Sequence, residues 1–238
     1  MPTPSPHVAC VEIGGGGVET VVLDEAGGAT RYDGIAAPDG MPLLIAVPGL
    51  VGDGRVIAAS NLGWYDVDPA ERLGLAGPAA VVCNDAEAAA LGESALRPGH
   101  PDLVFLGLGT GVGGAVVRDG ECTANLFAHS PGFSARTCTC GRTGCLETVA
   151  AGWALPHPIP DSELPHLAAA LARGVATEPL ASPPLVVLAG GITARHPALL
   201  DLLAAELPRR TVVATAASGA KSAAPWGLRH LLLSRTPA

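Results

Sequence analysis

The chain has 238 residues, 48% hydrophobic and 15% charged, with 14 basic against 22 acidic side chains and a net charge of −8. That length buries a sizeable core as one large domain or two small lobes, and the apolar share excludes a disordered chain. The acidic balance without a basic cluster argues against a nucleic-acid partner, and no apolar run reaches the length of a membrane helix. The opening MPTPSPHVAC has neither the charged n-region nor the apolar core of a signal peptide, so a cytoplasmic address is expected.

Taken in order, Val8 to Leu23 reads strand, turn, strand: VACVEI, the glycines 14–17, then VETVVL. Ala26 to Asp39 is loop-like, with a short strand possible near Thr30–Tyr32. Pro42–Val47 is a compact buried strand, followed by a turn with Gly52 and Gly54 and another short strand. Pro69–Leu73 suggests a short helix. Ala79–Cys83 is a buried strand that delivers Asn84-Asp85 to an alanine-rich helix, Ala86–Leu96, with Asp85 placed to cap it.

The next stretch is the most informative. Val104-Phe105-Leu106 and Ala115-Val116-Val117 flank a glycine-rich turn from Gly107 to Gly114, which reads as a hairpin whose backbone comes close to something. Glycines leave N–H groups unscreened, and such a nest beside the Thr110 hydroxyl suits phosphate oxygens. His129, Cys138, Cys140 and Cys145 follow, with the spacing His-x8-Cys-x-Cys-x4-Cys. One nitrogen and three sulfurs make the tetrahedral inventory of a closed structural zinc site. In a reducing compartment, clustered cysteines suit metal better than disulfides. Cys10 and Cys83 sit in apolar runs and read as buried small hydrophobes, and Cys122 falls outside the spacing.

Beyond the cysteines, Val149–Trp153 starts a helix that Pro156, Pro158 and Pro160 end, and Ser162–Arg173 reads as an amphipathic helix. Leu185–Leu188 is a strand leading through Ala189-Gly190-Gly191 into a helix that runs to Leu207. Thr211–Ala214 is a last strand and Pro225–Leu233 a last helix. No internal repeat is visible.

The glycine hairpin followed by the His/Cys set, closed by Gly144-Cys145-Leu146-Glu147, resembles the ROK family of bacterial sugar kinases and related repressors. The resemblance runs from Val11 to Leu233 with several segments shortened. It includes Val47-Pro48-Gly49-Leu50-Val51, Asn61-Leu62-Gly63-Trp64, and Asn84-Asp85-Ala86-Glu87-Ala88-Ala89-Ala90-Leu91-Gly92-Glu93. With a first strand expected by residue 8, there is no room ahead of it for the helix-turn-helix of the repressors. The resemblance implies an α/β protein of the actin-like ATPase (ribonuclease H-like) fold, with two mixed-sheet lobes, 1–97 and 98–238, and a cleft between them. It implies ATP-dependent phosphorylation of a hexose or hexose-like hydroxyl, with Asp85 as general base. Asn61, Asn84, Asp85, His129 and Glu147 would bind the sugar. Phosphates would lie at Gly14, Gly15, Gly109, Thr110, Gly111 and Gly113, and adenosine near Gly190 and Gly191. Magnesium would sit near Glu12, zinc on His129, Cys138, Cys140 and Cys145, and a homodimer is expected.

Three departures qualify the resemblance. The first phosphate motif stands as Glu12-Ile13-Gly14-Gly15-Gly16-Gly17, without the family's hydroxyl and base. The family's Glu three residues before the His is Leu126, so either the substrate lacks the matching hydroxyls, as an amino sugar, deoxy sugar or cyclitol does, or the sugar is held loosely. A long helix usual before Pro42 is absent, so the sheet face beneath it needs other cover, such as a partner subunit. A non-catalytic sugar- or nucleotide-binding relative and a zinc-stabilised structural domain are the competing expectations.

Overall fold

The structure is a computed structural model that describes residues 7–14, 17–36, 38, 40–124, 127–178, 180, 184–217 and 222–235. Its contacts divide the chain into two units, Met1–Ala95 with Ala223–Ala238, and Leu96–Ser222.

In the first unit, β1 (Val8–Gly14), β2 (Gly17–Leu23) and β3 (Ala29–Asp33) form an antiparallel meander. β4 (Leu43–Val47) joins β1 in parallel. A small separate sheet follows, β5 (Leu50–Gly52), β6 (Arg55–Ala59) and β7 (Trp64–Val67), and then the short helix α1 (Pro69–Arg72), capped by Asp68. β8 (Val81–Asn84) returns parallel to β4 and feeds α2 (Asp85–Ala95). Every residue of β4 and β8 is buried, as expected of parallel strands covered on both faces. Val11, Ile13, Ile45 and Val47 pack with Val56, Ala59 and Ala70. This face of the sheet is thus covered by β6 and α1 of the same chain.

The second unit repeats the plan. β9 (Asp102–Leu108), β10 (Val112–Arg118) and β11 (Glu121–Ala124) form the meander. The metal-type loop then leads into α3 (Glu147–Ala150) and α4 (Leu164–Ala176). β12 (Leu185–Ala189) pairs in parallel with β9, α5 (Gly191–Arg195) and α6 (Ala198–Glu206) follow, and β13 (Val212–Thr215) pairs with β12. The strand orders are β3-β2-β1-β4-β8 and β11-β10-β9-β12-β13, the same topology twice. No sequence repeat signals this, because each half needs only apolar strands and one tight hairpin. α4 buries Leu164, Leu167, Ala168, Leu171 and Val175, a helical stripe that joins Leu106, Leu146 and Leu188 in one core.

Two expectations change here. The single helix expected to reach Leu207 is two, because Pro197 cannot donate to the ladder and His196 leaves the helical region (φ −128°, ψ 69°). The last helix, α7 (Ala224–Arg235), belongs to the first unit, although the sequence assigned all of 98–238 to a C-terminal lobe. It packs on α2 so closely that a Cβ on Gly92 would overlap the Ala223 carbonyl, and one on Gly227 the Ala88 carbonyl. Neither approach is visible in one sequence. No described helix is long and apolar enough to cross a membrane.

Replacing a helix-interior glycine by alanine ordinarily gains up to about 1 kcal/mol. At Gly227 the sign should reverse: Gly227→Ala forces the helices apart and should cost about 1–3 kcal/mol. Urea unfolding of the two proteins checks this.

Candidate active site

In the first unit the carboxyl ends of β1, β4 and β8 lie side by side, with Glu12 beside Ala46 and Val47 beside Asn84 in the register. Open α/β sheets bind ligands along such an edge. Asn84, 6% exposed, is the true cap of α2: its Oδ1 accepts from the N–H of Ala86 (3.0 Å) and Glu87 (3.1 Å). Its Nδ2 donates to the Gly49 carbonyl (2.8 Å). Gly49 has φ +101°, and a Cβ there would overlap the Ala58 carbonyl, so only glycine brings this turn close enough. The expected capping by Asp85 is thus largely taken over by its neighbour. Asp85 spends Oδ1 on the Ala86 N–H (2.9 Å). Burial pushes its carboxyl above the ordinary range, against the pull of the Ala86 and Asp85 N–H groups.

Asn61 is exposed on the turn between β6 and β7. Trp64 packs against the first unit's core, with Arg72 over its ring at 6.0 Å. Glu12 lies 3.7 Å from Arg31, which also pairs with Glu19. This cation went unnoticed in the sequence; the antiparallel register of β2 and β3 is what brings it onto the same face. A guanidinium at that carboxylate fits a magnesium site poorly. Gly14 ends β1, while Gly15 and Gly16 lie outside the described residues.

In the second unit the hairpin forms as expected, with Gly107 opposite Gly113 and Val112 opposite Leu108. Not all its N–H groups are available: Gly109 donates to the Gly111 carbonyl (3.0 Å) and Val112 to Glu147 Oε1 (3.2 Å). Thr110 is exposed at the tip. Gly190 (φ +93°) follows β12, and a Cβ on it would overlap the Leu108 carbonyl. This glycine therefore seats its turn against the hairpin strand.

His129, Cys138, Cys140 and Cys145 converge, their ligand atoms all within 4.8 Å of one another. His129 Nδ1 is 3.6 Å from Cys138 Sγ, and Cys140 Sγ is 3.7 Å from Cys145 Sγ. Those are the edges of a tetrahedron with metal–ligand bonds of about 2.0–2.3 Å, so the donor set fits zinc. Burial, with Glu147 alongside, pushes the Cys138 thiol up to about 12 against the pull of the Cys140 N–H. At Cys140 burial is outweighed by the Arg142 N–H and the two neighbouring thiols, and its pKa is lowered. Glu147, 7% exposed, points its Oε2 at Cys138 Sγ (3.0 Å) and Thr139 Oγ1 (3.3 Å), not only outward as a sugar contact would. Arg136 braces the loop by donating to the carbonyls of Thr148 (3.0 Å) and Ala154 (3.1 Å). Leu126, the proposed specificity position, lies outside the described residues.

The model of the ROK family matches residues 37–164, more than half of the 238. The chain belongs to the ROK family. This ROK protein is 35% identical over 119 residues to a glucokinase from Halalkalibacterium halodurans, covering 44% of the chain and 36% of that protein. It is 29% identical over 163 residues to an N-acetylmannosamine kinase from Escherichia coli, covering 63% of the chain and 52% of that kinase. The matched stretches span about a third to a half of these curated relatives. In structure it is similar to the ROK glucokinase from Streptomyces griseus in complex with glucose and AMPPNP. The TM-score is 0.76 at 23% identity, over 94% of this chain and 98% of that one. The likeness shows the actin-like ATPase fold expected from the sequence.

Two measurements test the site. Cys140→Ser removes one of the four candidate ligands, and a structural zinc held by them would contribute on the order of 10 kcal/mol or more, so the variant is expected to bind no zinc and to lose the order of 129–148. Metal analysis of protein purified without chelator checks both forms. Asp85 titrates higher folded than unfolded, so the folded chain holds the extra proton between the ordinary carboxylate value and the raised one. Stability therefore falls as pH rises through that window. Asp85→Asn should remove that part of the slope and melt higher than wild type at pH 7, with the gain shrinking towards pH 4.

Proposed function

We propose that this ROK chain transfers the γ-phosphoryl group of ATP to a hydroxyl of a hexose or hexose-like molecule. The observation that carries the reading is the division of labour at the end of β8. Asn84 takes the Glu87 N–H and the Gly49 carbonyl and shares the Ala86 N–H with Asp85, so most of the capping does not fall to the Asp85 carboxyl, which would address the substrate. A carboxylate whose proton affinity burial has raised is a better proton acceptor than an ordinary one. The substrates of the matched relatives, glucose and N-acetylmannosamine, support the same class.

In this reading the substrate oxygen attacks the γ-phosphorus, the bond to the β,γ-bridging oxygen breaks, and ADP leaves. The transition state is loose, so the proton moves late, from the substrate hydroxyl to Asp85, and positioning matters more than base strength. Phosphate oxygens would be met by the Thr110 hydroxyl and the N–H groups of Thr110 and Gly111, since Gly109 and Val112 already donate elsewhere. Adenosine would lie along Gly190-Gly191. Asn61, Asn84 and His129 would contact the sugar, His129 through Nε2 while Nδ1 faces the metal. Glu147 would use the lone pairs its present bonds leave over. Zinc would be held by His129 and the three cysteines, where it supplies a fixed loop geometry and no open coordination position. Glu12, 3.7 Å from the Arg31 guanidinium, would hold magnesium poorly.

A second reading, a ROK-like binding protein without turnover, draws on that same pair, since the chain's own Arg31 stands beside the acid of the first phosphate motif. ADP release across a panel of hexoses, amino sugars, deoxy sugars and cyclitols separates the two. Turnover is expected on at least one member, and Asp85→Asn should lower it about 10²–10⁴-fold with sugar binding kept. Sugar binding without ADP release from any of the panel would favour the second reading.

A further inference from the structure

The hairpin turn at 109–111 is gripped by a segment far from it in sequence. Gly152 N–H donates to the Gly109 carbonyl (2.9 Å) and Trp153 N–H to the Thr110 carbonyl (3.1 Å). Glu147 Oε1 accepts from Val112 N–H (3.2 Å). The glycines at this junction make room for the grip itself. A Cβ on Gly111 would come within 2.6 Å of Glu147 Oε1, and one on Gly152 within 2.6 Å of the Gly109 carbonyl. Of the three holds, the carboxylate is the one tied at its other end to the metal-type loop. Its Oε2 takes Thr139 Oγ1 and Cys138 Sγ, and its backbone stands two residues after Cys145. A nearly buried carboxylate keeps its position only while its hydrogen-bond partners keep theirs. Metal capture would remove the Cys138 S–H as a donor, with the cation's charge offsetting the thiolate left beside the carboxylate, and would keep the Thr139 hydroxyl as donor by fixing the backbone on both sides of it.

We propose that Glu147 is a positioning residue that transmits metal occupancy to the phosphate hairpin. With the loop closed on metal, its carboxylate holds the Val112 N–H and sets the turn. With the loop open, the turn loses that anchor and binds phosphate less well. The last clause rests on the kinase reading, whereas the coupling of loop to hairpin does not.

The test compares the zinc-loaded chain with Glu147→Ala and Glu147→Gln by zinc content, hydrogen exchange across 104–113, and calorimetric titration with Mg-ATP. Both variants keep the four ligands and should keep one zinc. Glu147→Ala should exchange about tenfold or more faster at 108–113 and bind Mg-ATP weaker by a comparable factor. Glu147→Gln, whose amide oxygen still accepts from Val112, should recover most of the protection. Chelating zinc from wild type should reproduce the fast exchange at 108–113, and chelation should add little there once residue 147 is alanine, as coupled positions behave. Exchange across 81–95, in the other unit, serves as the control. Unchanged exchange at 108–113 on chelation of wild type overturns the proposal, and so does full protection in Glu147→Ala. Should Glu147→Ala fail to fold, chelation of wild type decides alone. If wild type shows the exchange pattern but no affinity for Mg-ATP, the phosphate assignment falls and the coupling stands.

Discussion

The loop from His129 to Cys145 has few side chains able to bury one another, so its shape must come from something other than a core. A few backbone bonds close its tip, Cys138 N–H to the Arg142 carbonyl and Gly144 N–H to the Arg136 carbonyl among them. The rest of the constraint is the convergence of one imidazole and three thiols. Segments this short usually need a metal or a disulfide to hold a single shape. From the closed end of the loop, Leu146 enters the core against Gly174 of α4, where a Cβ would come within 2.7 Å of its Cδ2. Glu147 is thereby delivered under the hairpin. A poorly packed loop thus controls two well-packed elements.

Much of this was legible in the sequence, and the reasons are local. The hairpin 104–117, the metal-type spacing and the Asn84-Asp85 strand end are each encoded within a few residues, where pattern and chemistry coincide. What stayed hidden depends on register or on approaches between distant segments. Arg31 reaches Glu12 only because β2 and β3 pair as they do. Glu147 and Val112 meet across 35 positions. The edge strands β7 and β11 are short and half exposed, without the apolar run that marked the central strands. The exchange of capping duty from Asp85 to Asn84 was unreadable for another reason: either side chain suits an N-cap, and only the geometry says which one is spent.

The two units solve the same problem twice with different residues. After β4 the chain turns at Gly49, and after β12 at Gly190, both at positive φ and both against a carbonyl with no space for a Cβ. In one unit the turn anchors Asn84; in the other it seats the Gly190-Gly191 corner on the hairpin strand. The duplicated topology therefore puts one tight backbone approach of each unit at equivalent places, the carboxyl edges of the sheets. The side chains there are free to differ: an amide and a carboxylate in the first unit, a glycine nest and a metal-type cluster in the second.

The first unit is assembled from both ends of the chain, which gives its biosynthesis an unusual order. Residues 96–222 are contiguous and do not need α7 to close, while β1, β4 and β8 are made early but still lack it. Until the last helix emerges, the face that includes Cys10 and α2 stays uncovered, with apolar strands open to solvent. Nascent domains ordinarily mature from the N-terminus onward. Here the earlier-made unit must wait for residues 223–235, so premature termination near residue 222 would release a chain with every residue of the second unit and an open first sheet.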